Sequence, residues 1–168
     1  LTLFPSNNPN AEYTIPDGTT EIAYRAIYNC DNLTSVQIDK GVKSIRPEAF
    51  YDCDNLTEVI IPDGVTSICK NAFYSCSSLV SVTLPDSVTS IGKNAFNGSG
   101  VTAIRLPAGV TKIEDYTFAN TAALSEITIE VVVTEVGEYA FQNTALTAIE
   151  FKDGLETVFK NMQTRFVH

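Results

Sequence analysis

The segment LTEVIIPDGVTSICKNAFYSCSS, residues 56–78, recurs with small changes along nearly the whole chain. Successive copies begin at residues 10, 33, 56, 79, 101, 124 and 146, so that the repeat length is 22 or 23 residues. Self-similarity at a fixed period in this range is typical of a solenoid, in which each copy forms one coil and contacts only its neighbours. The sequence therefore predicts a stack of about seven coils.

The spacing of apolar residues within the quoted copy predicts a flat coil of chain. Alternation over residues 58–61 favours a short strand that buries Val59 on one face. Residues 62–64, Pro-Asp-Gly, then favour a bend, because Pro cannot continue a ladder and Asp-Gly suits turn dihedrals. Residues 65–68 predict a second short extended piece, and residues 70–73, which lack alternation, are interpreted as a helical or 3₁₀ turn.

These columns of apolar residues resemble a known family, the bacterial surface-protein type of leucine-rich repeat that is often called BspA-like. Its pattern is LxxVxLPxxVxxIGxxAFxxCxx, and the matching stretches here are LTEVIIPDGVTSICKNAFYSC from residue 56 and LVSVTLPDSVTSIGKNAFNGS from residue 79. The resemblance covers residue 10 to about residue 158. It implies an α/β leucine-rich-repeat solenoid, a right-handed superhelix of parallel strands with short helical or 3₁₀ turns. It also implies export to the cell surface, and adhesion or binding of host proteins.

The ends of the chain depart from the repeat. Residues 1–9 fit no copy, and we expect them either to cap the first coil or to be the remnant of an earlier region. Residues 10–158 form the predicted solenoid, and residues 159–168, which lose the Ala-Phe pair of the other copies, are expected to cap the last coil. The chain begins with Leu1 and shows no signal peptide, so we expect that an export signal has been removed.

The charge balance limits the classes of partner. Twenty acidic residues oppose eleven basic ones in 168 residues, which gives a formal net charge of −9. This balance disfavours nucleic acid, whose phosphates need a basic footprint, and no apolar run approaches the roughly 20 residues of a membrane span. We therefore expect a protein or carbohydrate ligand, with the host extracellular matrix as one candidate source, and no membrane insertion. The oligomeric state stays open.

The inventory of catalytic and metal-binding residues is thin. His168 is the only histidine and the last residue, so a nucleophilic site built on it would rest on a chain terminus. No phosphate-binding or dinucleotide-binding fingerprint occurs, and neither C-x-x-C nor a pair of histidines is present. The sequence therefore predicts a protein that is not an enzyme, with no catalytic residues, no metal site and no cofactor.

Three of the four cysteines share one column. Cys30, Cys53 and Cys76 occupy a position where later copies place Ser or Thr, which predicts a buried site for small side chains that touch the backbone. Neighbouring coils lie about 4.8 Å apart, so distance alone does not exclude a bridge, although parallel side-chain directions argue against one. Whether these cysteines are free or bridged stays open. Cys69 lies in another column and is expected to be exposed.

Two surfaces of the predicted solenoid are candidate binding sites. The tyrosine stripe consists of Tyr28, Tyr51 and Tyr74, one residue after the Ala-Phe column, which is Ala-Ile in the first copy, and its phenol rings suit a sugar or a peptide. Packing of these rings against neighbouring Phe rings is the alternative. The strand face consists of the outward side chains of the longer strand in each copy, and a plainly solvated sheet is the alternative there. Its candidate ligand-binding residues are Gln37, Glu58, Ile60, Arg105, Glu126 and Glu150.

Together these features predict a recognition or adhesion module that is secreted or attached to the cell surface and binds host protein or glycan through a solenoid surface. The alternative is a structural spacer domain of a larger surface protein, with no ligand of its own. Ile60 and Arg105 are the two side chains on the strand face that resemble binding anchors, since binding energy concentrates on a few large side chains.

Overall fold

The computed structural model describes residues 4–6 and 8–149, which form a solenoid of stacked coils. Each coil contributes one strand of three or four residues and one strand of two residues. The longer strands are β1 (Glu12–Thr14), β3 (Ser35–Gln37), β5 (Glu58–Ile60), β7 (Ser81–Thr83), β9 (Ala103–Leu106) and β11 (Glu126–Ile129). The two-residue strands are β2 (Glu21–Ile22), β4 (Ser44–Ile45), β6 (Ser67–Ile68), β8 (Ser90–Ile91), β10 (Lys112–Ile113) and β12 (Glu135–Val136).

Strands from successive copies pair in parallel and in register. Val59 on β5 lies opposite Val36 on β3 and Val82 on β7, as the repeat columns predict. Equivalent residues therefore lie side by side, and the short β-sheets run along the stack rather than within one coil. This confirms the parallel-strand solenoid with one coil per copy.

Both ladders are interrupted between the fourth and fifth coils. The longer strands form one sheet in the order β1-β3-β5-β7 and a separate pair, β9 with β11, and the two-residue strands divide in the same way. The interruption follows the copy that begins at residue 79, which is one residue shorter than the copy before it. The chain is tight at this point, because a Cβ atom added to Gly100 would collide with the carbonyl oxygen of Ser77.

The expected number of coils is wrong. The described residues contain six pairs of strands, and the chain makes five full turns between β1 and β11. The predicted seventh copy, from Leu146, falls mostly outside the described residues, as do the predicted C-terminal cap at 159–168 and the candidate residue Glu150. At the other end, Phe4 is buried and its ring lies 4.4 Å from that of Tyr13.

The predicted helical turns are also wrong, because the described residues contain turns but no helix, and hence no helix that could cross a membrane. The reason is backbone geometry, since two residues in every copy, four positions apart, have a positive φ that a right-handed helix cannot accommodate. Within each turn, one backbone amide therefore donates to the next coil and the following amide donates to a carbonyl of its own turn. The amide of Phe50 donates to the carbonyl oxygen of Ala72 in the next coil at 2.8 Å, whereas that of Tyr51 closes a local turn onto Glu48 at 3.2 Å.

The core is a column of phenylalanines enclosed by aliphatic side chains. The rings of Phe50, Phe73, Phe96, Phe118 and Phe141 are buried, and neighbouring ring centroids are 5.0 to 5.6 Å apart with ring planes within 7° of parallel. Offset stacking of this kind stabilises aromatic pairs beyond the burial of area alone. The column explains why one Phe per copy at a fixed position is enough to fill a continuous core.

The cysteine column is buried against the backbone, as predicted, and all four thiols are free. The thiol of Cys53 donates to the carbonyl oxygen of Ile27 at 3.0 Å, and that of Cys76 to Phe50 at 2.9 Å. Thr121 occupies the same column and donates its hydroxyl to Phe96 at 2.8 Å, which explains why Thr can replace Cys. Cys69 is half-buried rather than exposed.

Burial should shield the three thiols of the cysteine column from reagents in solution, including Cys30, whose pKa is lowered by its hydrogen bond with Cys53 but whose side chain is only 1% exposed. A hydrogen bond to Cys30 and desolvation raise the pKa of Cys53, and desolvation raises the pKa of Cys76 to about 12. Because the thiolate is the reactive form, a disulfide-exchange reagent at about pH 8 should label Cys69 alone in the native protein and all four thiols after denaturation. The Cys69→Ser variant is the matched control and should show no rapid labelling. Fast labelling of more than one thiol in the native wild type would contradict the buried column.

Candidate functional site

The three rings of the tyrosine stripe stack on one another. The centroids of Tyr28 and Tyr51 are 5.3 Å apart, those of Tyr51 and Tyr74 are 4.8 Å apart, and the ring planes deviate from parallel by 16° and 10°. The Phe rings stack separately, within their own column. Both faces of Tyr51 are covered by its neighbours, so no sugar or peptide can lie flat on that ring.

The two ends of the stack differ. The guanidinium carbon of Arg25 lies 4.7 Å from the ring centroid of Tyr28. At the other end, Tyr74 has a stacking partner on one side only within the described residues, because the fourth coil places Asn97 where the preceding coils place Tyr. The change from a large ring to a short amide produces a step at Tyr74.

An open groove of about 460 Å³ lies at this step, and we call it the tyrosine-end groove. Its volume is in the range of small-ligand sites. Two members of the tyrosine stripe line it, together with lysines and asparagines from the turns of neighbouring coils. The lining residues are Tyr51, Tyr74, Lys70, Asn71, Lys93, Asn94, Asn97, Tyr116 and Asn120.

A chain of hydrogen-bonded asparagine side chains starts among the lining residues of the groove and continues to Asn143 in a later coil. The side-chain amide of Asn97 donates to Asn94 at 2.9 Å, Asn120 donates to Asn97 at 3.1 Å, and Asn143 donates to Asn120 at 2.8 Å. These bonds fix the amides and occupy the oxygens of Asn94, Asn97 and Asn120. Asn71 differs, since its side-chain oxygen is buried and accepts no hydrogen bond from the described residues.

The backbone explains why asparagine lines the groove. Asn71 and Asn94 have φ values of 57°, and Asn120 has a φ of 56°. Asn enters this left-handed region more readily than most residues, because its short polar side chain bonds locally. The fold thus selects a residue type that also presents amide groups to solvent.

The two lysines of the groove are in different electrostatic states. Lys93 forms an ion pair with Asp115 at 2.9 Å, and this hydrogen bond raises the pKa of Lys93 and lowers the pKa of Asp115. Lys70 is exposed and makes no ion pair with any described carboxylate. The groove therefore carries one ammonium group, that of Lys70, that is not paired with a described carboxylate.

Three carboxylates, those of Asp31, Asp52 and Asp54, follow tyrosines of the stripe within a few residues in the sequence. Desolvation, followed by repulsion from Asp54 and Asp31, raises the pKa of Asp52. Desolvation, followed by the neighbouring phenols, raises the pKa of Tyr51, which keeps that hydroxyl protonated at neutral pH. Within residues 4–6 and 8–149, no group of His, Cys, Asp or Glu is arranged to hold a metal ion.

The structure brings together three of the six strand-face candidates. Gln37 and Ile60 are register partners on neighbouring strands, and with Glu58 and Pro62 they line a shallow pocket of about 350 Å³. Ile60 is 61% exposed, an unusual value for a large aliphatic side chain. This is the more apolar of the two surfaces.

The other strand-face candidates lie apart from that pocket. Arg105 forms ion pairs with Asp86 at 2.9 Å and with Glu130 at 3.1 Å, and it thereby connects three coils across the interruption of the strand ladders. The positive charge of Arg105 is therefore already paired with carboxylates. Glu126 is exposed on β11 opposite Ala103, away from Ile60.

Sequence reasoning missed most of the groove. A second tyrosine pair, Tyr116 and Tyr139, stacks at 5.1 Å, and Tyr116 forms part of the groove wall. The available signal was the residue before the Ala-Phe pair, which is Asn71, Asn94, Tyr116 or Tyr139 in successive copies. That column contains three of the lining residues that the tyrosine stripe lacks, Asn71, Asn94 and Tyr116.

Comparison with known proteins places the chain in a family. The family model described as BspA type leucine-rich repeat region matches residues 3–99 and 43–164 in six copies. This chain belongs to the BspA-type leucine-rich repeat family. The apolar columns of the BspA-type repeat are those that form the phenylalanine and strand core described above. No curated protein matches the chain.

Solved structures share the BspA-type solenoid. The T. pallidum leucine-rich repeat protein is 28% identical, with 77% of this chain and 74% of that chain covered and a TM-score of 0.67. A Bacteroides ovatus leucine-rich repeat protein is 24% identical, with coverage of 88% and 52% and a TM-score of 0.69. The pneumococcal vaccine antigen PcpA is 25% identical, with coverage of 79% and 33% and a TM-score of 0.69. The chain thus spans about half of the second protein and one third of the third.

The carboxylate beside the tyrosine stripe gives a prediction about pH. Because the pKa of Asp52 is raised in the folded protein, its charged form lowers stability above that pKa, and this penalty disappears below the unfolded-chain value near 3.9. Asp52 has a φ of 59°, which Asn also tolerates. We expect Asp52→Asn to raise the melting temperature by about 1–3 °C at neutral pH and to match the wild type near pH 3.

The matched control is Asp63→Asn, which removes an exposed carboxylate from the Pro-Asp-Gly bend and should leave the melting temperature unchanged at neutral pH. Thermal denaturation followed by circular dichroism measures both variants. An Asp52→Asn gain that persists undiminished at low pH would show that the carboxylate charge is not its cause.

Proposed function

We propose that this BspA-type domain is a recognition module that binds its ligand in the tyrosine-end groove. The observation that carries the proposal is the end of the tyrosine stack at Tyr74, where a preformed polar groove adjoins an aromatic ring. Binding sites of this kind combine an aromatic surface with a few fixed polar groups. The hydrogen-bonded asparagines are fixed before any ligand binds, which reduces the side-chain conformational entropy that is lost on binding.

The tyrosines themselves support a role beyond folding. The fold does not need Tyr at this position, since later coils place Asn97, Ala119 and Gln142 there and retain the same Phe column. Half-buried phenols on adjacent coils therefore represent a choice of residue that core packing does not explain. Ligand recognition accounts for them.

The location that we propose is the outside of the cell, either secreted or attached to the surface. Membership of the BspA-type family supports this, since the bacterial surface proteins that the repeat resembles carry the same pattern. PcpA, which shares the fold, is described as a vaccine antigen. The partner classes in this proposal are host protein and glycan.

A spacer without a ligand is the second candidate, and the strand face favours it. The positive charge of Arg105 is paired with two carboxylates, and half of the outward residues on the described longer strands are Ser, Thr or Ala. If the strand face is plainly solvated, the solenoid serves to project neighbouring regions of a longer protein. A spacer should show no saturable binding to any ligand.

Two substitutions at opposite ends of the tyrosine stack test the recognition module. The purified domain is first screened for saturable binding on a glycan array and on immobilised extracellular matrix proteins. We expect Tyr74→Ser to weaken binding of the identified ligand by about tenfold or more, because it removes the ring that borders the groove.

Tyr28→Ser is the matched control, since it also removes one stacked tyrosine but lies away from the groove. Each substitution removes one contact between rings, and Tyr28→Ser also removes the contact with Arg25, so the melting temperature of the control should fall at least as far as that of Tyr74→Ser. An equal loss of affinity in Tyr74→Ser and Tyr28→Ser would show that the ligand does not bind in the tyrosine-end groove. A wild-type domain that binds nothing in the screen would favour the spacer.

A further inference from the structure

We propose that the tyrosine-end groove binds a terminal acidic sugar, a pyranose that carries one carboxylate. This inference rests on the proposed function and specifies its ligand. It follows from the hydrogen-bond donors of the groove, from its charge and from the face of Tyr74 that carries no stacked ring.

The groove has more hydrogen-bond donors to offer than acceptors. The side-chain oxygens of Asn94, Asn97 and Asn120 already accept hydrogen bonds from neighbouring amides. The remaining amide acceptor, the side-chain oxygen of Asn71, is buried away from solvent, whereas the ammonium of Lys70 is exposed. A ligand that matches this surface must therefore be rich in acceptors, as carboxylates and sugar oxygens are.

The net charge of the groove fits a single anionic group. No carboxylate is among the lining residues, although the whole chain has a formal charge of −9. The charge of Lys93 is matched by Asp115, which leaves Lys70 as the ammonium that can bind an anion. A polysulfated chain or a nucleic acid would bring many negative charges to an acidic protein, and the long-range repulsion would oppose its approach.

The face of Tyr74 that carries no stacked ring favours a sugar ring over an acidic peptide. An aromatic face carries partial negative charge, and the C–H bonds on the flat side of a pyranose present partial positive charge to it. Flanking amides then reach the ring hydroxyls, and Lys70 reaches the carboxylate. The groove volume of about 460 Å³ suits one or two sugar rings rather than an extended peptide.

Paired probes test the acidic sugar directly. Isothermal titration compares sialyllactose with lactose, and a glucuronate-terminated disaccharide with its glucose-terminated analogue. We expect at least one acidic probe to bind about tenfold or more tightly than its neutral partner, because only the acidic probe pairs with Lys70. Binding should weaken as the salt concentration rises, since part of the interaction is electrostatic.

Lys70→Gln keeps a long polar side chain and removes the charge. It should remove most of the preference for the acidic probe, measured as the ratio of the affinities for the acidic and the neutral sugar. Lys43→Gln, at an exposed lysine outside the groove, is the matched control and should behave as the wild type. Circular dichroism melts verify that both variants are folded.

The outcomes separate the two proposals. Equal affinity for acidic and neutral sugars, or an unchanged preference in Lys70→Gln, would overturn the acidic sugar and leave a Tyr74-dependent recognition site standing. Binding of a glutamate-rich peptide in place of either sugar would overturn it in favour of a protein ligand. If no sugar or matrix protein binds the wild-type domain, or if a ligand binds and Tyr74→Ser leaves its affinity unchanged, both the acidic sugar and the groove are wrong.

Discussion

Backbone hydrogen bonds between successive coils are the constraint on which this structure depends. The strands pair only with strands of other copies, and in the turns alternate amides, such as those of Phe50 and Asp52, donate to the next coil. A coil by itself would leave these groups without partners and would expose the face of its core Phe. Because buried backbone groups must be paired, the array is stable only when equivalent residues stay level with one another.

The same register that builds the core also builds the candidate site. It places Phe73 between Phe50 and Phe96, and it places Tyr51 between Tyr28 and Tyr74. A column continues for as long as the residue type is repeated, so a change of residue type ends it at a defined place. The tyrosine-end groove is the result of one such change. The positive-φ turns contribute asparagines beside it, so that core and site are consequences of one repeat with local exceptions.

The sequence predicted what depends on register and missed what depends on local geometry. The pairing of Val36, Val59 and Val82 and the buried cysteine column follow from periodicity alone, and the structure confirms both. The helical turn was a wrong prediction because residues 70–73 would lack alternation both in a helix and in the observed turn. Only the preference of Asn for positive φ indicated the observed turn. The partners of Arg105 come from two other copies, and no pattern within one repeat specifies such contacts.

Deletion of residues 56–78, one complete repeat, tests the dependence on register most directly. The deletion joins residue 55 to Leu79 in phase, so every remaining coil still meets an equivalent neighbour. We expect this variant to keep the far-ultraviolet circular dichroism of the wild type per residue and to unfold cooperatively in denaturant, at a lower midpoint. Deletion of residues 56–66 alone removes part of one repeat, and we expect it to abolish the cooperative transition. Equal behaviour of the two variants would contradict a fold held together by in-register coils.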